Sequence, residues 1–334
     1  MDQFSILIGG DLVPTKSNFA LFNSANTAEL LGDDLIDVLR RADFRVFNLE
    51  VPLADREEPI RKCGPNLIAP TSTINGIKGI QTDLLTLANN HILDQGENGL
   101  HSTIRVLKEN DIDYVGAGSD LNDATQPYIH ESDGIRVGFY ACAEHEFTIA
   151  TEHCPGANPF DPLESLDHIS KLKNECDYII VLYHGGKEHY RYPSPYLQKV
   201  CRKIIDKGAD LVVCQHSHCI GAFENYNEGT IVYGQGNFLF DHSESDFWQT
   251  SLLLNVILTS GSMSVEYIPI VKQGRGIRLA DKQHSEEILR DFYERSDQIL
   301  NENFIQQEYD EFAAEMLKWF LNAFHGNNLL FRVL

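Results

Sequence analysis

The sequence predicts an α/β protein built around a mostly parallel sheet. Short apolar runs rich in Val, Ile and Leu alternate with amphipathic segments through the N-terminal third of the chain, which is the pattern of repeated βα units. Polar side chains that commonly bind metals follow several of these runs directly. Later in the chain the pattern changes to closely spaced hairpins, so we expect a second sheet to pack on the first.

The first elements follow this pattern in chain order. Strands are expected at Phe4–Ile8, Phe44–Leu49, Leu84–Ala88 and Ile112–Val115, with helices at Thr27–Arg41, Ile74–Ile80 and Asn98–Glu109. Gly9 and Gly10 predict a sharp turn before Asp11, because glycine lets the backbone bend tightly. The proline-rich segment 52–70 predicts a long surface excursion. It carries Arg61 and Lys62, which we interpret as a solvated pair, with contact to an anionic substrate as the alternative.

The rest of the chain predicts hairpins, one further parallel unit and a helical end. Hairpins are expected at Tyr128–Tyr140, Gly221–Tyr233 and Thr250–Val271, helices at Leu163–Lys173 and Pro195–Lys207, a strand at Tyr178–Tyr183, and helical structure from Ser285 to Phe324. Ser194 is a plausible N-cap for the helix that begins at Pro195. We expect a main domain over residues 1–275 and a C-terminal helical extension over 276–334.

Charge and cysteine content restrict the class of protein. The 334 residues carry a formal net charge of −22, and no Lys/Arg cluster offers a local exception, so we predict neither nucleic acid nor an anionic membrane as a partner. The seven cysteines have no Cys-x-x-Cys spacing and mostly lie in apolar runs, which favours reduced thiols in a cytoplasmic protein. The sequence shows no stretch that resembles a signal peptide and no apolar stretch of 18 residues. We therefore predict neither secretion nor membrane insertion.

The most informative stretch is Val213–His218, where His216 and His218 follow a buried β-branched run. Open α/β sheets place their chemistry at such strand ends. Other strand ends offer similar groups, so the candidates number seven: Asp11, Glu50, Asn90, His91, His184, His216 and His218. Any one of them alone could be an ordinary core or turn residue.

Together these side chains predict a metal centre. Carboxylate, amide and imidazole ligands without thiolates suit Mn, Fe or Zn and disfavour a structural zinc knuckle. The set exceeds the needs of one catalytic ion, so we expect two divalent ions bridged by a carboxylate, an arrangement typical of hydrolases.

The order of motifs resembles the bacterial capsule-synthesis and poly-γ-glutamate-synthesis CapA family, which is similar to the calcineurin-like metallophosphoesterases. The motifs are Gly10-Asp11, Asn48-Leu49-Glu50, Asn89-Asn90-His91 with Asp94, Tyr183-His184, His216-Ser217-His218 and Gly236-Asn237-Phe238. The resemblance covers roughly residues 4 to 272. The resemblance implies a four-layer αββα sandwich with its metal site at one edge.

The resemblance also implies a role for each candidate. Asp11 and His218 would hold the first ion, Asn90, His184 and His216 would hold the second, and Glu50 would bridge them. His91 would be the general acid or the imidazole that stabilises the phosphate, oriented by Asp94, although Asp94 could instead cap a helix. Metallophosphoesterases usually place a His where this chain has Val13, so the first ion would lack one ligand.

Three functions remain open at this point. The first is a cytoplasmic metal-dependent hydrolase, as a phosphoesterase or an amide hydrolase, acting on a small molecule or an anionic polymer in capsule, poly-γ-glutamate or polysaccharide metabolism. The second is a non-catalytic, metal-stabilised accessory subunit that binds an acidic polymer or a synthetase; self-association is also open. The third, a serine hydrolase, rests only on His184-Gly185-Gly186 and lacks a Gly-x-Ser-x-Gly elbow.

Overall fold

The computed structural model describes residues 3–144, 147–242 and 244–325 and confirms an α/β fold with two large sheets. The strands are β1 (Phe4–Val13), β2 (Phe44–Leu49), β3 (Leu84–Thr86), β4 (Asp113–Val115), β5 (Ala117–Gly118), β6 (Tyr128–Ser132), β7 (Ile135–Ala143), β8 (Gly156–Ala157), β9 (Tyr178–His184), β10 (Leu211–Gln215), β11 (Phe223–Tyr226), β12 (Gly229–Val232), β13 (Asn237–Phe240), β14 (Thr250–Thr259), β15 (Ser262–Gln273) and β16 (Gly276–Leu279). The helices are α1 (Phe19–Asn23), α2 (Thr27–Leu31), α3 (Asp33–Arg41), α4 (Ile74–Gly79), α5 (Gly96–Glu109), α6 (Leu121–Ala124), α7 (Ser165–Leu172), α8 (Pro195–Asp206), α9 (Lys282–Gln298) and α10 (Glu302–His325).

The first sheet joins the parallel N-terminal strands to antiparallel C-terminal ones. Its order is β16-β15-β14-β1-β2-β3-β4, and β13 also pairs with β1 in parallel. The second sheet has the order β11-β12-β10-β9-β7-β6, with parallel pairing from β12 to β7. The parallel strands are neighbours in each sheet, β1 to β4 in the first and β12, β10, β9 and β7 in the second, which brings their carboxyl ends to one edge of each sheet.

Three apolar cores hold four layers together. The middle core lies between the sheets and contains Ile6 and Val46 from the first and Leu182 and Val213 from the second. One outer core packs helices including α3 and α5 on the first sheet, and the other packs α7 and α8 on the second. The predicted αββα sandwich is therefore confirmed.

The C-terminal helices also contribute to these cores. Phe292 of α9 is buried in the middle core, and Ile305 of α10 is buried beside α8. The predicted domain boundary at residue 275 falls between β15 and β16, which pair with each other, and the division into two domains stays a prediction. Residues 326–334 of the predicted extension lie outside the described residues. In the part of the chain that is described, no helix is both long and apolar enough to cross a membrane.

Two predicted elements differ from the structure. β1 continues through Val13 instead of turning at the glycines, and its pairing with β2 shifts register between Ile8 and Asp11. A Cβ on Gly10 would lie 1.9 Å from the carbonyl oxygen of Gly236, so the glycine serves a close backbone approach rather than a turn. The helix predicted from Thr27 to Arg41 is two helices, because Gly32 has a φ of 73°.

A pair of leucines tests the middle core. Leu211 is fully buried at the start of β10, whereas Leu163 is 79% exposed. Replacing Leu211 by Ala should lower the free energy of unfolding by about 2–5 kcal/mol because it leaves a cavity. Leu163→Ala should change it by less than about 0.5 kcal/mol. Denaturant unfolding measures both, and equal losses would contradict this packing.

Candidate metal centre

The carboxyl ends of strands from both sheets converge on one buried cluster. Asp11 lies in β1, Glu50 directly follows β2, and Asn90 lies after β3. His184 ends β9, and His216 and His218 follow the adjacent strand β10, where Gln215 is in register with His184. The strands thus deliver polar groups from five places in the sequence to one place, and each of these six side chains is buried.

The potential ligand atoms form two overlapping groups. Glu50, His184 and His216 make one group, and Asp11, Glu50 and His218 make the other. Within each group the candidate ligand atoms all lie within 4.8 Å of one another. Asn90 joins the first group through its Oδ1, which lies 3.0 Å from His184 Nε2. The structure therefore brings together the six residues expected to bind metal and places Glu50 in both groups.

The environment of Glu50 fits a cation. Its side chain is 0% exposed, and neither carboxylate oxygen has a hydrogen-bond partner among the described residues. His184 Nε2 lies 3.4 Å from Oε1. A buried carboxylate without hydrogen bonds is unfavourable unless a positive charge compensates it. His216 Nδ1 is likewise buried and unbonded, so oxygen and nitrogen donors both remain available to ions.

Asn48 links the cluster to three strands of the first sheet. Its Nδ2 donates to Asp11 Oδ1 at 2.8 Å and lies 3.3 Å from His184 Nδ1. Its Oδ1 accepts from Thr86 Oγ1 at 3.0 Å and from Asn89 Nδ2 at 3.1 Å. The sequence motif contained Asn48 but gave it no role, whereas the structure shows that it orients Asp11 and His184.

The two histidines after β10 have unusual backbone conformations. The φ angles of His216 and His218 are 100° and 56°, in the left-handed region that non-glycine residues rarely adopt. The segment is held by a hydrogen bond from His189 N to Ser217 O at 2.8 Å, and Gln215 Nε2 donates to Gly9 O at 3.1 Å. Such conformations cost about 1–3 kcal/mol and are concentrated at functional sites.

Burial and neighbouring charges set the protonation of the cluster without metal. Burial alone would lower the pKa of His218, but Glu50 and Asp11 outweigh it and raise that pKa to about 9. Burial opposes ionisation of Asp11, yet the His218 hydrogen bond and charge lower its pKa to about 2. Burial, with nearby imidazoles, holds the pKa of His216 well below its usual range. Metal uptake at His218 would therefore release a proton.

An aromatic cluster packs against His218. The ring of Trp248 lies 4.6 Å from the His218 ring, and its Nε1 donates to His189 Nε2 at 2.9 Å. His189 in turn stacks on Phe247 with a centroid distance of 5.4 Å. Sequence position alone gave no role to His189 or Trp248, and no motif marks them.

His91 belongs to a second, adjoining group. Its Nδ1 lies 2.6 Å from Asp94 Oδ2, and the same oxygen accepts from the backbone N–H of Leu67 at 2.6 Å. Lys62 forms an ion pair with Asp94 and is buried, so its interpretation as part of a solvated pair is wrong. Helix α5 begins at Gly96 with Gln95 at its N-cap position, so Asp94 does not cap it. Its carboxylate instead orients His91.

Val13 lies where related metal sites commonly have a histidine. It is buried and packs in the outer core of the first sheet. It also lines a cavity of about 420 Å³ together with Leu67 and Phe240. Val13 therefore offers no ligand to the Asp11 group.

Comparison with known proteins identifies the family. The family model "Bacterial capsule synthesis protein PGA_cap" matches residues 5–242. The chain is 32% identical to capsule biosynthesis protein CapA of Bacillus anthracis over 241 residues, which are 70% of this chain and 59% of that protein. It is 28% identical to PGA biosynthesis protein CapA of Bacillus subtilis over 239 residues, 70% of this chain and 62% of the relative. This chain thus spans less than two thirds of the length of either relative.

A solved structure agrees with the fold. A phosphatase from Mycoplasma pneumoniae superposes with a TM-score of 0.51 at 14% identity, over 81% of this chain and 94% of that one. At this identity the likeness concerns the fold alone, and it agrees with the metallophosphoesterase-like sandwich expected from the sequence. With the two buried ligand groups and the family match over most of its length, this chain belongs to the bacterial capsule synthesis protein family PGA_cap and has a metallophosphoesterase-like fold.

Proposed function

We propose that this protein is a metal-dependent hydrolase, a phosphoesterase, that acts in capsule, poly-γ-glutamate or related polysaccharide metabolism. The observation that carries the proposal is the Glu50 carboxylate, buried without a hydrogen bond and shared by two groups of potential metal ligands. The names of the Bacillus relatives support the biological setting. The seven free thiols favour the cytoplasm.

We assign the ligands as the family resemblance implies them. Asp11 and His218 would hold one divalent ion, Asn90, His184 and His216 would hold another, and Glu50 would bridge the two. Mn, Fe or Zn suits this mixed oxygen and imidazole set. Bound ions would act as Lewis acids toward a phosphoryl group.

The other residues of the site orient groups and move protons. Asp94 accepts a hydrogen bond from Nδ1–H of His91, which leaves Nε2 as the nitrogen that would meet the substrate. Nε2 would donate to a phosphoryl oxygen or a leaving group when the imidazole carries a second proton. Asn48 fixes Asp11 and His184 through its amide. The substrate would be a small phosphoester or an anionic polymer. The same site could instead act on an amide such as a γ-glutamyl bond.

One observation favours a second candidate function. Val13 supplies no ligand to the Asp11 group, and its apolar side chain is buried there. A weak first site would suit a metal-stabilised accessory subunit that binds an acidic polymer or a synthetase without turnover. A second copy of the chain is a further candidate partner.

Two buried glutamates provide a matched test of metal binding. Glu50 has no hydrogen bond, whereas Glu224, 4% exposed, is paired with Arg202 and accepts from Tyr233. Without metal, Glu224→Gln should lower the free energy of unfolding by about 3–5 kcal/mol because it breaks a buried pair. Glu50→Gln should cost less, since the Glu50 carboxylate has no hydrogen bond to lose.

Added Mn²⁺ should increase the cost of Glu50→Gln relative to the wild type and leave the cost of Glu224→Gln unchanged. At a concentration about 100 times its dissociation constant, Mn²⁺ should stabilise the wild type and Glu224→Gln by about 2.7 kcal/mol. Glu50→Gln should gain little. Thermal unfolding with and without Mn²⁺ measures these shifts, and equal stabilisation of Glu50→Gln would contradict the assignment of Glu50 as a ligand.

Replacement of His91 tests the proposed catalytic role. With p-nitrophenyl phosphate or bis-p-nitrophenyl phosphate and added Mn²⁺, His91→Ala should lower kcat about 10²–10⁴-fold while metal content stays that of the wild type. His216→Ala should lose metal as well as activity. His153, which is exposed and far from the cluster in the sequence, gives the control His153→Ala with unchanged kcat. Metal-dependent stabilisation of the wild type with no turnover would favour the accessory role instead.

A further inference from the structure

Lys62 is a buried cation beside the proposed acid. Its side chain is 3% exposed and forms an ion pair with Asp94, which is fully buried. Its Nζ lies 3.2 Å from His91 Nδ1 and 3.5 Å from the carbonyl oxygen of Asn90. Lysine is rarely buried to this degree unless its charge is paired, so the position has a specific role.

The contacts of Asp94 decide where the proton of His91 lies. Asp94 receives the Lys62 ammonium at one oxygen and the Leu67 N–H at the other. Both oxygens of Asp94 face donors, so they act as hydrogen-bond acceptors. The 2.6 Å contact with His91 Nδ1 therefore has a proton on that nitrogen, which makes the 3.2 Å approach of the Lys62 ammonium a contact between two donors rather than a hydrogen bond. Asp94 does not engage Nε2.

The segment that carries Lys62 is anchored on Asp94 and on its neighbour Gln95. Ile60 N donates to the Asp94 carbonyl at 3.1 Å, and Glu58 N donates to Gln95 Oε1 at 2.7 Å. Gln95 Nε2 donates to Leu67 O at 2.9 Å. The loop is thus fixed on both sides of Lys62. Its neighbour Arg61 is exposed, and no hydrogen bond or ion pair of its side chain occurs among the described residues.

We infer that Lys62 is a positioning residue for His91: its ammonium holds the buried Asp94 carboxylate in place, so that Asp94 keeps the His91 proton on Nδ1 and leaves Nε2 free. This inference rests on the proposed function, because it assumes that His91 acts on the substrate. Lys62 itself does not touch the substrate in this arrangement.

The kinetic test compares variants of two adjacent cations. Lys62→Met keeps the length of the side chain and removes its charge. It should lower kcat at least about tenfold, which is part of the rate enhancement that a general acid or base supplies. KM and metal content should stay unchanged. Lys62→Arg should recover part of the loss. Added ethylammonium should restore part of the activity of Lys62→Ala. Arg61→Met, which removes the same charge from the exposed neighbour, should behave as the wild type.

A second readout does not depend on turnover. The hydrogen-bonded Nδ1–H of His91 should give a downfield proton NMR resonance that is assigned by its absence in His91→Gln. That resonance should be present in the wild type and Arg61→Met and be lost or moved upfield in Lys62→Met. The spectra apply equally to protein without any detectable activity.

The outcomes separate the two proposals. A wild type without turnover defeats the phosphoesterase proposal, and the NMR spectra then decide on Lys62 alone. The role of Lys62 is overturned if the wild type lacks the resonance, if Lys62→Met keeps it, or if Lys62→Met keeps wild-type kcat. Loss of metal in Lys62→Met would also overturn it, because Lys62 would then support the ligand cluster rather than His91.

Discussion

The structure depends on one buried carboxylate that has no hydrogen bond. The Glu50 carboxylate lies at the junction of the two sheets, where water cannot solvate it and no described side chain donates a hydrogen bond to it. Imidazoles and a second carboxylate surround it instead. A protein interior tolerates this arrangement when cations complete it, which gives the fold a physical reason to bind metal. The αββα architecture is what allows ligands from both sheets to reach the same point.

Much of the architecture could be predicted from the sequence because hydrophobic periodicity is local. The parallel strands, the three hairpins and the C-terminal pair of helices all follow from the spacing of apolar residues. The errors arose where tertiary contacts override a local signal. Gly10 suggested a turn, yet it lies in a strand because the Gly236 carbonyl approaches it, and that contact joins positions more than two hundred residues apart.

The candidate ligands were predictable because each follows an apolar run, and sheets place such positions together. The supporting residues were not. Lys62 lies in a proline-rich segment that has the composition of a solvated loop, and its burial depends on backbone hydrogen bonds to Asp94 and Gln95. Trp248 reaches His218 from a 3-10 turn between two strands, with no motif around it. Sequence patterns find the groups that do chemistry more readily than the groups that orient them.

The most direct test of the central claim is electron paramagnetic resonance of the protein titrated with Mn²⁺, with the bound metal counted per chain. Ions bridged by Glu50 should bind as a pair and give the multiline spectrum of coupled manganese, and Glu50→Gln should abolish the coupling. One isolated ion with a simple six-line spectrum, or no bound metal, would contradict a shared site at Glu50.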